Sequence, residues 1–193
     1  MLYIAFDVET PNHLNDRISQ IGITVLDNDT IEDQYNYLVD PEADFDEFNI
    51  KLTGITPDAV TGALNFPALW EKIGPIFSSG ILVAHNAPFD LRVLNNCLHA
   101  YDIVWKSSVE YICTRNVAKQ KLPEISHSLK NMAAFYNITL DHHNAASDSE
   151  VCAKLLLEYR KSGYEPDKFV ETFQFGDYMD NVIPQTQHTS QAG

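Results

Sequence analysis

The chain opens on a nearly unbroken apolar run, Tyr3-Ile4-Ala5-Phe6-Asp7-Val8-Glu9-Thr10, which ends by setting two carboxylates two residues apart. Continuous apolar character over so short a stretch predicts a strand buried on both faces. Strand side chains alternate between faces, so Asp7 and Glu9 point the same way. Further on, 18–26 and 31–39 alternate apolar with small or polar positions on either side of Asp27-Asn28-Asp29. That pattern predicts a hairpin, and strands one to three form a meander leading off the central strand. Between 41 and 66 two short helical turns are expected, over 48–52 and 56–60, the second with Thr56 as N-cap and Pro57 at its first position.

Leu69, Trp70, Ile73 and Phe77 share one face of a helix over Phe66–Phe77. Gly80 then precedes a short buried strand, Ile81–Ala84, which runs directly into His85-Asn86-Ala87-Pro88-Phe89-Asp90 and a helix with Leu91, Leu94 and Leu98 on its apolar face. Such a strand-loop-helix step sets the loop at the carboxyl edge of a sheet, where α/β proteins hold their sites. A strand over 109–113 and helices over 114–121, 128–136 and 146–160 complete the pattern, with Asn137 as a left-handed stop. From 166 onward Phe169 and Phe173 have the spacing of one helical face, with Phe175 and Tyr178 close by. We expect a principal domain over 1–162 and an extension over 163–193, a short aromatic helix followed by a polar, disordered tail. The aromatic cluster either docks on the parent domain or meets a partner.

A chain of 193 residues can bury roughly 70% of its unfolded surface in one core without staples. Its three cysteines lie far apart and in no Cys-x-x-Cys pairing, as expected of reduced thiols in a cytoplasmic compartment. No apolar run approaches the length of a membrane span. The net charge of −14 argues against a passive binder of nucleic acid, which would rely on Lys and Arg to displace counterions. It does not argue against a nuclease whose metal ions supply positive charge locally. Residues 27–50 hold nine acids and no Lys or Arg, whereas 91–130 hold six basic residues against three acids. The second segment is the place to look for phosphate contacts beyond a site, unless both are simply solvated faces.

Two ionised acids at the end of a buried strand repel each other and lose hydration, a cost that a bound cation removes. Asp7 and Glu9 are therefore half of a candidate metal site, unless the strand simply exits to solvent there. Asp90, in the first turn of its helix, suits the helix dipole, yet it sits at the border of that helix's apolar face. Asp148 extends the stripe of Cys152, Leu155 and Tyr159 by one turn toward the helix start, so its carboxylate faces the core and needs a partner. His143 lies five residues before it, in the entering loop, with His142 as its immediate competitor.

Together these pieces resemble the DnaQ-like 3′–5′ exonucleases of the DEDD type, histidine branch (DEDDh), as in the proofreading epsilon subunit or exonuclease domain of bacterial DNA polymerase III. The matching stretches are Phe6-Asp7-Val8-Glu9-Thr10, Leu52-Thr53-Gly54-Ile55-Thr56, Leu82-Val83-Ala84-His85-Asn86-Ala87-Pro88-Phe89-Asp90 and His142-His143-Asn144-Ala145-Ala146-Ser147-Asp148. Where that family often has Thr-Thr-Gly after its first Glu, this chain has Thr10-Pro11-Asn12, so the loop near the terminal nucleotide is expected to differ in shape.

The resemblance implies an α/β fold of the ribonuclease H-like kind, with a mixed five-stranded sheet flanked by helices on both faces. It implies catalytic roles for Asp7, Glu9, Asp90, His143 and Asp148. The four acids would hold two Mg²⁺ or Mn²⁺ ions, which suit all-oxygen ligands, about 4 Å apart, and His143 would be the general base. Thr10, Asn86 and Phe89 would lie against the substrate, Asn86 equally as a brace of its loop. The implied partner is a nucleic acid 3′ end, single-stranded DNA before RNA, and a DNA polymerase subunit is a further one; no membrane is involved. Three alternatives stay open: an exoribonuclease of the same fold, a catalytically silent nucleic-acid-binding or scaffold protein, and an unrelated phosphoesterase in which His143 is a metal ligand.

Overall fold

A computed structural model of the chain describes residues 1–176. Its strands are β1 (Leu2–Glu9), β2 (Gln20–Asp27), β3 (Thr30–Asp40), β4 (Leu64–Asn65), β5 (Ile81–Ala84), β6 (Ser108–Cys113) and β7 (Val170–Gln174). Its α-helices are α1 (Glu47–Thr53), α2 (Phe66–Phe77), α3 (Pro88–Ala100), α4 (Thr114–Lys121), α5 (Leu129–Phe135) and α6 (Ala145–Lys161). The sheet runs β4-β3-β2-β1-β5-β6-β7, with β1 in the middle. The β1, β5 and β6 strands are parallel, and β2, β3 and β7 run antiparallel to their neighbours.

The sheet is mixed α/β as expected, but among the described residues it has seven strands rather than five. Two come from stretches without strand periodicity. The two residues of β4 pair only with Val39 and Asp40 at the end of β3. The expected aromatic helix after 166 is a short 3₁₀ turn, Pro166–Phe169, followed by β7 paired along β6. The spacing of Phe169 and Phe173 fits a helical face, but an open edge of β6 offers a full ladder of backbone hydrogen bonds, and pairing prevails over propensity. Phe173 and Phe175 then pack against the core from that edge, so the aromatic cluster docks on the parent sheet. Tyr178 and the tail over 184–193 lie outside the described residues.

The alternation along β1 divides the molecule. Its even positions, Ile4, Phe6 and Val8, join a core that includes Leu69, Ile73 and Phe77 of α2 and Leu91 and Leu94 of α3. Phe6 meets Phe77 edge to face, with ring centroids 5.1 Å apart, a geometry that favours aromatic pairs. Tyr3 and Ala5, on the odd face, join Val117 of α4, Met132 of α5, and Val151, Cys152 and Leu155 of α6. Asp7 and Glu9 continue that odd face past the end of the apolar core. They emerge where α6 begins.

Candidate active site

The start of α6 is brought onto the sheet by an absence. Gly22 of β2 sits directly opposite Asp7 in the ladder, and a Cβ there would overlap the carbonyl of Ala145 and the amide of Ala146. With no side chain in the way, the first turn of α6 lies against the strand. Gln20 accepts a hydrogen bond from the Ala145 amide at 3.3 Å, and the Thr24 and Ser149 hydroxyls pair at 3.2 Å. Asn144 caps the helix, its side chain accepting from the Ala146 amide at 3.2 Å. Asp148, one turn in, is delivered to the carboxylates of β1.

Asp7, Glu9 and Asp148 can each bring a carboxylate oxygen within 4.8 Å of the others. Asp148 and Glu9 are buried, at 3% and 8% exposure, while Asp7 is partly open to the cleft. Asp90, buried in the first turn of α3, lies in the same cleft but outside that three-way cluster, and its charge acts on Asp7. Loss of hydration is the main force on all four. It holds Asp7 well above the usual carboxylate range, with the negative charges of Asp90, Asp148 and Glu9 adding to it. It pushes Glu9 up to about 7, with help from Asp148. Asp90 rises to about 8, although the backbone amides of Asp90 and Val8 hold it back. Asp148 is raised by burial and opposed by His142.

The two histidines divide their work in a way the sequence leaves open. His142 Nδ1 lies 3.3 Å from the Asp148 carboxylate, while His143 donates its backbone amide to the same group at 3.2 Å. Their rings stack at 4.0 Å. That amide contact helps hold His143 at φ +66°, a left-handed conformation that a non-glycine residue adopts at a cost of about 1–2 kcal/mol. Burial, with the neighbouring His142 as a second cause, holds the His143 imidazole below its ordinary value. That direction favours the neutral imidazole.

The cleft, about 490 Å³, is lined by these acids and histidines, by Thr10, Asn49 and His85, and by an apolar rim that includes Phe48, Leu52, Phe89 and Leu129. Its lining contains no Lys or Arg among the described residues. Thr10 is buried and held by the Asn49 side chain, which reaches its carbonyl at 2.9 Å and its hydroxyl at 3.1 Å. Phe89 is 38% exposed at the rim. Asn86 is not among the lining residues; its side-chain oxygen accepts from Arg115 at 3.2 Å. The loop after Thr10 is tied down by Asn12 to the Asp44 carbonyl at 2.7 Å and by His13 to Asp46, and its His13 and Asn15 join the cleft lining.

Asn49, Phe48 and Leu52 also line the cleft, whereas the sequence pattern marks only a helical turn over 48–52 and, for Leu52, a family-like stretch, with no site role for any of the three. The signal available was an apolar pair four residues apart on a short helix in an acidic segment, which left Phe48 and Leu52 exposed at 71% and 41%. Nothing local marks Asn49, since its hydrogen bonds reach back 39 residues.

The family model described as exonuclease matches residues 4–156, and the chain belongs to the exonuclease family. The DNA polymerase III PolC-type protein of Streptococcus mutans is 30% identical over 167 residues, and that of Streptococcus pyogenes serotype M1 is equally so. The match takes in 84% of this chain and 11% of those proteins, so the chain spans about a ninth of the length of these relatives. Exonuclease X, solved in complex with 5′-overhanging duplex DNA, shares the fold with a TM-score of 0.70 and 24% identity, covering 86% of this chain and 96% of its own. The nuclease domain of 3′hExo, a DEDDh family member bound to rAMP, has a TM-score of 0.68 and 19% identity over 92% of this chain and 96% of its own. The fold is thus that of the ribonuclease H-like exonucleases. No helix of the described residues is long and apolar enough to cross a membrane.

Proposed function

We propose that this chain is a divalent-metal-dependent 3′–5′ exonuclease that releases nucleoside 5′-monophosphates from DNA 3′ ends, in a proofreading or repair setting. The observation that carries this reading is the cluster of Asp7, Glu9 and Asp148, oxygen donors within 4.8 Å in a cleft whose described lining has no Lys or Arg. An all-carboxylate set suits a hard cation such as Mg²⁺ or Mn²⁺, and desolvated acids with raised proton affinities call for a positive charge. Asp7, Glu9 and Asp148 would hold one ion, and Asp7 with Asp90 would serve a second. The ions, when bound, supply charge stabilisation for the attacking and leaving oxygens of an in-line displacement.

The remaining roles fall to the chain's own groups. The neutral His143 imidazole takes the proton from the attacking water, and the left-handed backbone at that position presents its ring to the cleft. Phe48, Leu52 and Phe89 offer apolar and aromatic surface against which terminal bases can stack without sequence preference. Thr10, held by Asn49, faces the terminal nucleotide, while Asn86 braces the loop through Arg115. The PolC-type relatives support DNA over RNA and support a polymerase as partner. The three buried free cysteines support a reducing, cytoplasmic compartment.

A time course with 5′-labelled single-stranded DNA and RNA of equal sequence, in Mg²⁺, in Mn²⁺ and in chelator, beside Asp7→Ala, tests the reading. A ladder that shortens from the 3′ end and needs both metal and Asp7 is expected, faster on DNA. Faster RNA shortening would make the enzyme an exoribonuclease, and binding without shortening would make it a silent binder. Metal affinity that collapses in His143→Ala would reassign that histidine as a ligand.

A further inference from the structure

His85 follows β5 directly, lines the cleft, and has both ring nitrogens engaged. Its Nε2 lies 2.8 Å from the His127 carbonyl, which can only accept, so Nε2 carries the proton. Its Nδ1 is then the acceptor for the Thr114 hydroxyl at 2.9 Å, a closer partner for that proton than the Ala84 carbonyl at 3.4 Å. With both nitrogens occupied the ring is neither a base nor a metal ligand. It is a joint between three segments. Thr114 opens α4, and its carbonyl takes the Tyr159 hydroxyl of α6 at 3.1 Å. His127 sits in the 122–128 loop, where its own ring is 2.8 Å from the Leu122 carbonyl. One residue past that loop, Leu129 opens α5 and forms part of the cleft wall.

We propose that His85 is a positioning residue, a neutral bracket that holds the 122–128 loop, and through it Leu129, against the end of β5 so that the cleft wall is formed before substrate arrives. The role in substrate binding rests on the exonuclease reading; the bracket itself does not. Leu129 is an apolar part of the cleft lining and not one of its carboxylates or histidines, so a loosened wall weakens nucleotide binding while the reacting acids stay on β1, α3 and α6. The predicted signature is a raised KM with kcat retained.

The test pairs hydrogen exchange with steady-state kinetics on the full chain, for wild type, His85→Ala, His85→Gln and Thr114→Val. In His85→Ala the amides of 122–129 should exchange about tenfold faster, the equivalent of one lost buried hydrogen bond. KM for a labelled oligonucleotide should rise by a similar factor while kcat changes less than about threefold. His85→Gln, which can still donate to the His127 carbonyl, should restore most of both. Thr114→Val, which removes the second contact together with the long 3.4 Å bond from the Thr114 hydroxyl to the Ala84 carbonyl, should act in the same direction more weakly, and it decides the matter if His85→Ala does not fold. Unchanged exchange over 122–129, a loss in kcat at constant KM, or a glutamine variant as poor as the alanine would each overturn the bracket. If the wild type shows no metal-dependent shortening, the exonuclease reading falls, and the exchange comparison still judges the bracket alone.

Discussion

The two faces of β1 were built from one strand for opposite purposes. On the even face Ile4, Phe6 and Val8 meet large apolar and aromatic side chains, and the arrangement stabilises by area and shape. On the odd face the strand begins in the same manner with Tyr3 and Ala5, then spends its last two inward positions on Asp7 and Glu9 beside a helix start that fits only because Gly22 has no side chain. The difference shows where stability is surrendered for chemistry. A desolvated carboxylate cluster costs the fold stability, and the proposed cation would offset that cost.

Substitutions on each face break this comparison in opposite directions. Asp7→Asn should cut metal-dependent shortening by about 10³-fold or more, and in chelator its Tm should exceed that of wild type, because a carboxyl held above its ordinary range is gone. A lower Tm in chelator would show that the cluster is not a source of strain. Phe6→Ala should cost about 3–5 kcal/mol in urea unfolding, while metal affinity of the folded fraction, followed by calorimetry, stays within a few-fold. Gly22→Ala sharpens the boundary between the faces: overpacking should cost about 1–3 kcal/mol and weaken metal binding as well, since Asp148 moves with the first turn of α6. Lost stability with unchanged metal affinity would separate the helix from the site.

The gentlest probe is pH. Glu9 at about 7 and Asp90 at about 8 stand above their unfolded values, near 4. The folded apo form therefore binds more protons than the unfolded chain between those limits. Their contribution is fully present below about pH 4 and is lost as pH rises through 7 and then 8. In chelator the stability should fall with rising pH by up to about 1.4 kcal/mol per unit for each such proton. Saturating Mg²⁺ should flatten that slope, and a slope unaffected by the ion would place the titrating groups elsewhere.

Much of this was legible in the chain. Strict alternation places Asp7 and Glu9 on one face whatever surrounds them, and the apolar stripe of the last long helix turns Asp148 inward, because both are consequences of local backbone geometry. The hairpin, Asn137 at φ +55° and the helices over 66–77, 114–121 and 129–135 follow from equally local rules. What the tertiary structure decided depends on partners far along the chain. The choice of His142 to meet the Asp148 carboxylate and of His143 to offer its backbone amide is made by a loop closing on a helix. The strand over 170–174 exists because β6 had an open edge to satisfy, against a spacing that reads as helical. Gly22 carries no signal of its own, yet the gap it leaves is what lets a helix begun 123 residues later set its acid beside Asp7. Periodicity is a property of neighbours in sequence, whereas steric room and hydrogen-bond completion are properties of neighbours in space, and the carboxylate cluster needed both.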